Sequence, residues 1–560
     1  MLLSRQVLIT SDSVSNKYLV VGATINARRQ FYFFGILSLL LSVATWRRSG
    51  DPFIDWGREL YAALSVSRDL GIPLDLLALF GPLSPWINGT VLSIGSESTA
   101  FLLLFNLALL TVALLLVHDT SRRFFGSRAA FLTTLAFIFF SAFPQLAGVG
   151  NYNFLTPYSH GATHGFLLGF LTLAAVSRGL RSDESIWWIL AGAAATLAIG
   201  TKPEMGAAAL LLLTWGAIVR IRLGPTPMKT ALFSAIGAAL SLVVLSALLK
   251  HQAGASALAL LTPYRNALAV SFMDLPFYSF ASKAEPVYLQ ILIGIFPILL
   301  LLVAGLWPAK YSPKDKAVQR STSACRFAPV RTGLAASALF VVFTILFPFS
   351  WMKLARTLPW ISLSTLFVCA WKLRPASARL MTARQLRRAG ELGCLAVFSS
   401  VLILKTGLDS RFFQYGFVLS APAMVLAIGL LSHDLPARAR LQGASNGWAP
   451  CIAQTLVMFL VMASASQSAV FYSRRTVPMH SDSDLLYLSA EEYDARTPVA
   501  LELLSYLSAS ESFRDGAVII PEGSMFHYML RTPSAIPIAS LMPLELKLLT
   551  PPMVLGMIES

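Results

Sequence analysis

Long apolar runs separated by short polar connections dominate the chain from residue 31 onward. A helix crossing the hydrocarbon core of a bilayer needs roughly 20 apolar residues, within a range of about 17–25. Thirteen stretches approach that pattern, near 31–46, 99–118, 129–146, 161–177, 187–201, 205–219, 230–249, 287–307, 334–350, 358–371, 391–404, 415–432 and 448–467. The first is expected to be a span and not a cleaved leader, because a long segment precedes it and no small-residue cleavage site follows. The pattern predicts an all-α polytopic membrane protein with about 13 transmembrane helices, spanning 31–467. Outside it stand the N-terminal segment 1–30, a connection at 47–98 after the first helix, another at 250–286, and a tail at 468–560. In the tail, Thr497 to Leu507 has helical periodicity and Gly516-Ala-Val-Ile-Ile-Pro521 reads as a short buried strand. The tail is therefore expected to be a small α/β extramembrane domain.

Composition removes the alternatives. Of 560 residues, 56% are hydrophobic and 13% charged, against about 45–50% and about 25% in soluble domains. A soluble chain of this length needs more polar surface to cover its cores, and disorder needs low hydrophobicity. The formal charge of +16 would point to nucleic acid in a soluble protein, but its distribution says otherwise. The loops that share a side with residues 1–30 hold 26 Lys and Arg, the opposite loops 12. By the positive-inside rule the N-terminal segment is cytoplasmic and the tail periplasmic or extracellular, in a plasma membrane, with no nucleic-acid partner. Cys325, Cys369, Cys394 and Cys451 show no metal-ligand or redox spacing.

Charged residues are scarce on the outer side, so those present draw attention. Asp51-Pro-Phe-Ile-Asp55-Trp-Gly-Arg58-Glu59-Leu-Tyr61 places four ionisable groups within nine residues, just past the first helix. On a helix Asp55 and Glu59 would share a face with Arg58 beside them, and Glu59 to Leu70 could lie amphipathically along the interface. The plainer reading is a charged juxtamembrane loop opened by Asp51-Pro52. The stretch Asn151-Tyr-Asn-Phe-Leu-Thr-Pro157-Tyr158-Ser159-His160-Gly-Ala-Thr-His164 is dense in hydrogen-bonding groups. It reads either as polar lining of a sugar-sized pocket or as helix capping. His160 and His164 stand at i, i+4, yet no third ligand is near, so no metal site is expected. Thr201-Lys202-Pro203-Glu204 joins two closely spaced helices; a Lys and a Glu at that depth pair with each other or face a watery cavity. Arg265, Lys353, Arg356, Lys405 and Arg411 are further outer-side cations, interfacial anchors or phosphate contacts.

No phosphate-cradling glycine loop, nucleophile elbow or nucleotide fingerprint is present. With these pieces placed, the chain resembles the GT-C superfamily of glycosyltransferases, nearest to bacterial homologues of protein O-mannosyltransferases and to the lipid A aminoarabinose transferase. The resemblance rests on Asp55-Trp-Gly-Arg58-Glu59-Leu-Tyr61, Phe80-Gly81-Pro82-Leu83, Pro157 to His160, Thr201 to Glu204 and Pro521-Glu522-Gly523. It covers roughly the first 220 residues and the tail, and the middle only in topology. The resemblance implies sugar transfer from a polyprenyl-phosphate donor to a hydroxyl of a glycan, lipid or protein on the outer face, usually with inversion. It implies an acidic residue of the first outer loop as base, Asp55 first and Glu59 second, with Asp51 behind them. Arg58, Lys202 and Arg265 would then meet the donor phosphate, and Tyr61, Tyr158, His160, His164 and Glu204 the substrate pocket. No cofactor is implied, though branches of the family differ in using a divalent cation. The chain departs from the aminoarabinose-transferase pattern, where acidic residues adjoin: here Trp56 follows Asp55, which leaves the base open. A flippase for lipid-linked glycans, a glycan polymerase or ligase, and a non-catalytic envelope-assembly protein are the rival readings.

Overall fold

The computed structural model describes residues 28–224, 227–269, 351–406, 409–434, 437, 448–481, 484–514, 516–549 and 551–559. The expected spans at 287–307 and 334–350, most of segment 1–30, Cys325 and the side chain of Cys451 lie outside the described residues. The described chain is mostly helical. Helix α1 covers 28–44; α2 is Gly57–Ser67, α3 Leu74–Leu79, α4 Leu83–Ile94 and α5 Thr99–Phe137. After these come α6 His160–Gly179, α7 Ile186–Ile199, α8 Pro203–Leu223, α9 Pro227–Ala253 and α10 Thr262–Ala269. Then follow α11 Leu358–Lys372, α12 Ala383–Leu404, α13 Ala421–Gly429 and α14 Trp448–Ser473.

Among the described residues six helices are long and apolar enough to cross a membrane: Thr99–Ala142, Pro203–Leu223, Met228–Ala253, Leu354–Lys372, Gly416–Asp434 and Gln454–Ser473. Helices α6 and α12 match a span in length, at 20 and 22 residues, but carry buried polar side chains such as His160 and Glu391. The first of the six breaks at Gly126, whose φ of 84° only glycine adopts without cost. The two apolar stretches expected there, 99–118 and 129–146, thus meet at one residue. Burial grades across the bundle: 83% of the most apolar window of Gly416–Asp434 is inside, against 22% for Met228–Ala253. Leu240 and Val243 of α9 are exposed, as on a lipid-facing helix. Helices α7 and α9 approach through small residues, since a Cβ on Gly192 would stand 2.1 Å from the Ser234 carbonyl oxygen.

The connection at 47–98 is a packed helical layer. Residues Gly57 to Val66 of α2 are all buried, so Glu59 to Leu70 is no interfacial helix. Gly57 sits against Met525 of the tail on one side, and Gly89 of α4 receives Val66 on the other. Asp55 and Glu59 do not share a helical face either. Asp55 precedes α2 with φ 58° and ψ −46°, outside the helical region, which breaks the path between the two side chains.

In the tail, β1 (Arg475–His480) and β2 (Leu485–Ser489) form an antiparallel pair, followed by α15 (Arg496–Ala509), α16 (Ser524–Leu530), α17 (Pro543–Leu548) and α18 (Pro551–Glu559). The helix expected at 497–507 is present. The strand expected at 516–521 is not: Ala517 bridges Ser534 in parallel and Glu522 bridges Ser540 antiparallel, so no continuous ladder forms. Its side chains divide between two cores, Ile519 on the main one and Val518 in a small cluster with Ile536 and Ile538.

Polar bonds tie the tail to the helical layer. Asp484 accepts from the Thr99 backbone at the start of α5 and from the Tyr528 hydroxyl. Arg496 reaches Asp51, Tyr61 Oη accepts from the Ser534 amide, and Asp75 accepts from the Ala539 amide. Asp75 is 1% exposed and its second oxygen has no partner among the described residues; burial pushes its carboxyl up to about 6. It binds its proton more tightly folded than unfolded, so its contribution to stability is full below about pH 4 and lost as pH rises through about 6. Asp75→Asn is expected to flatten the pH dependence of thermal unfolding between pH 4 and 7 and to raise the melting temperature above pH 7. An unchanged slope would refute this assignment.

Candidate active site

The site lies at the end of the bundle that carries the tail, and begins with the turn before α2. Asp51 caps that turn, accepting from the Phe53 amide, and accepts also from Gly150. Asp55 follows, with Oδ1 accepting from Arg58 at 2.7 Å and Oδ2 accepting from the Tyr152 hydroxyl at 2.5 Å. Each oxygen keeps a further lone pair. Among the three acidic candidates Asp55 has the most accessible side chain, 14% against 7% for Glu59 and 1% for Asp51.

Glu59 points the other way. Its Oε2 accepts from the His160 backbone amide at 2.8 Å and from the His160 ring Nδ1 at 3.0 Å, capping the start of α6. The other ring nitrogen meets the Asn106 amide at 3.1 Å; that amide also donates to the Leu155 carbonyl. Asn106 is thereby assigned as donor to Nε2, and His160 as the neutral tautomer with its proton on Nδ1.

Two sequence motifs 120 residues apart converge on this end. The Gly81 amide donates to the Thr201 carbonyl and the Leu83 amide to Gly200, locking the start of α4 against the turn before α8. A Cβ on Gly81 would stand 2.2 Å from the Gly200 carbonyl oxygen. Gly81→Ala is therefore expected to destabilise the protein by about 3 kcal/mol, read as a fall in melting temperature; an unperturbed melt would sink this account of the turn. The contact carries Phe80 onto Lys202. The ammonium is 4.2 Å from the Phe80 ring and 4.1 Å from that of Tyr158, and donates to the Tyr158 hydroxyl at 2.8 Å. Lys202 is 1% exposed, and burial, with Lys405 beside it, pushes its ammonium well below the usual lysine value while Glu204 opposes that shift. Desolvated cation–π contacts of this kind are worth about 2 kcal/mol or more. Glu204 pairs with Lys405 and lies 3.7 Å from Lys202.

The other face of the cluster brings Arg58 over the same Phe80 ring at 5.7 Å, and the Tyr152 and Tyr158 rings stand 5.1 Å apart. Asp55, Arg58, Phe80, Lys202, Tyr158 and Tyr152 thus form a closed circuit of contacts, with Tyr415 against both tyrosines. The tail completes it. Glu545 of α17 accepts from Arg58 at 3.2 Å, and Glu522 lines a small cavity with Asp55 and Arg58. Burial, reinforced by Asp55, pushes the Glu522 carboxyl up to about 7.

Four of the remaining sequence candidates lie apart from the circuit. The Tyr61 ring faces His527 at 5.5 Å. The His160 ring is buried against Glu59. His164 Nδ1 meets Ser84, and its Nε2 is buried without a partner among the described residues. Arg265 is exposed on α10 with no ion pair recorded among the described residues. Sequence reasoning passed over Tyr152, Asn106 and Glu545. Tyr152 lay inside a quoted motif with nothing to mark it, and Glu545 is an ordinary tail carboxylate until folding sets it against Arg58. Among the described residues no group of three His, Cys, Asp or Glu side chains is placed to hold a metal ion.

The fold and the site together define a multi-pass helical membrane protein with a carboxylate–arginine–lysine cluster at one end. Residues 80–251 match the model of the family described as dolichyl-phosphate-mannose-protein mannosyltransferase. The match supports the resemblance to GT-C glycosyltransferases over the stretch it covers, which includes Phe80, Tyr158 and Lys202 but stops short of Asp55. Among solved structures the chain is similar to a crystal structure of the Archaeoglobus fulgidus oligosaccharyltransferase tethered with an acceptor peptide containing the NVT sequon via a disulfide bond. The identity is 13% and the TM-score 0.44, over 93% of this chain and 64% of that one. The chain thus spans less than two thirds of that relative's length. No curated protein matches it.

Proposed function

We propose that this protein is a glycosyltransferase that moves a sugar from a polyprenyl-phosphate-linked donor to an acceptor hydroxyl at the tail end of the bundle, on the outer face of the plasma membrane. The observation that carries the reading is Asp55: a carboxylate oriented by Arg58 and Tyr152, linked through one aromatic ring to a buried lysine. In this mechanism Asp55 takes the acceptor hydroxyl proton as its oxygen bonds to the anomeric carbon. The bond from that carbon to the phosphate oxygen breaks on the opposite face, and the polyprenyl phosphate leaves with the electron pair. A phosphate leaving group needs charge stabilisation and no proton, which Arg58 and Lys202 supply. Glu59 holds the start of α6 against α2, and Tyr158 and Glu204 keep Lys202 in place.

The test supplies purified protein in liposomes with a polyprenyl-phosphate sugar carrying a radiolabel, and compares it with the same sugar as a nucleotide diphosphate. Transfer to acceptor from the lipid donor alone is the expected result. Transfer from the nucleotide sugar without a lipid intermediate would overturn the donor assignment.

A further inference from the structure

A cavity of about 1150 Å³ opens at the other end of the bundle, between α5, α11, α12, residues 427–434 and Ala437. Helix geometry sets its distance from the catalytic cluster. Helix α6 starts beside Glu59 and ends at Gly179, close to Arg181 on the cavity wall, and α12 starts near Arg384 and ends beside Lys405. At 1.5 Å per residue each helix covers about 30 Å, the thickness of a hydrocarbon core.

Seven cations line this cavity against two carboxylates, Glu391 and Asp434. Arg181 is taken by Glu391, Arg388 by Asp434, and Arg123 by Asp119 just outside. Arg122, Arg384 and Arg387 have no ion pair among the described residues, and the Arg387 Nε is buried without a hydrogen-bond partner. A buried N–H left without an acceptor is costly, and an anion held by Arg387 would supply one. Toward the membrane the wall turns apolar, with Ile361, Val368, Leu392, Leu430 and Leu431.

We infer that this cavity binds an anionic phospholipid of the leaflet opposite the tail, its phosphate held by Arg122 and Arg387 and the upper part of its acyl chains laid on the apolar wall. A soluble anion would satisfy the guanidinium groups and leave that wall unfilled. A zwitterionic lipid would bring a second cation into an already basic pocket. Basic pockets between transmembrane helices select anionic headgroups in this way. The volume lies above the usual range for a drug-sized site and leaves room for a headgroup with its glycerol and first methylenes.

The test titrates the purified full-length protein with phosphatidylglycerol and with phosphatidylcholine, and reads bound lipid by native mass spectrometry. Phosphatidylglycerol is expected to bind and phosphatidylcholine to bind at least tenfold more weakly. The double variant Arg122→Gln, Arg387→Gln should weaken phosphatidylglycerol about 30-fold, from two surface-type cation contacts. Should that variant fail to fold, Ser364→Trp covers part of the wall with every cation in place and is expected to weaken the same binding at least tenfold. Three results would each overturn the inference: equal binding of the two lipids, unchanged phosphatidylglycerol binding in a folded variant, or displacement of the lipid by millimolar inorganic phosphate.

Discussion

Asp55→Asn is expected to lower the rate of sugar transfer by about 10²–10⁴-fold, the usual contribution of a general base, and to leave the melting temperature nearly unchanged. Asparagine keeps the shape of the side chain, its oxygen still accepts from Arg58, and its NH2 donates to the Tyr152 hydroxyl oxygen in place of the bond that hydroxyl gave. Arg58 keeps Glu545 as its counter-charge. The loss should fall on kcat, with donor binding little altered, because the cations stay in place. Tyr152→Phe removes one hydrogen bond from the same carboxylate and should cost about tenfold, equivalent to about 1.4 kcal/mol. Retention of more than a tenth of the parent rate by Asp55→Asn would exclude Asp55 as the base.

The second large effect is on stability. Glu59→Ala should destabilise the protein by about 3–6 kcal/mol, because two hydrogen bonds to a buried carboxylate vanish together at about 1.5–3 kcal/mol each. The His160 amide and ring donor would then be buried without their acceptor, and the start of α6 would lose its cap. Glu59→Gln retains an acceptor and should recover much of the stability and most of the transfer rate. Thermal unfolding in detergent and transfer assays on the same preparations separate the two carboxylates. A Glu59→Gln protein of parental stability that transfers no sugar would move the base from Asp55 to Glu59.

The sequence ranked Asp55 before Glu59 but placed both on one face, because i, i+4 spacing assumes a continuous helix. Asp55 lies two residues before that helix, with a positive φ, so the two side chains diverge. Helical periodicity carries no signal for such a break, and Gly57 could as well have stood inside a helix as at its start. The aromatic partner of Lys202 was equally hidden. Phe80-Gly81-Pro82 and Thr201-Lys202-Pro203 were both visible as motifs, but their contact needs the close approach of Gly81 to Gly200. The tail shows the limit from the other side. Its helix at 496–509 was legible from periodicity, whereas the apolar run at 516–521 was not a strand, because its side chains serve two cores.

What the sequence determined by itself is local and additive. Apolar runs of membrane length predict helices wherever they occur, since burial of apolar area depends on composition over a short window. The excess of Lys and Arg in alternate connections anticipated the basic end of the bundle, where the arginines of α5 and α12 gather. Only the tertiary structure decided which charges meet. Glu59 finds His160 at a separation of 101 residues, and Arg58 finds Glu545 at 487. A hydrogen bond is made or lost within a fraction of an ångström, and no window along the chain contains both of its partners.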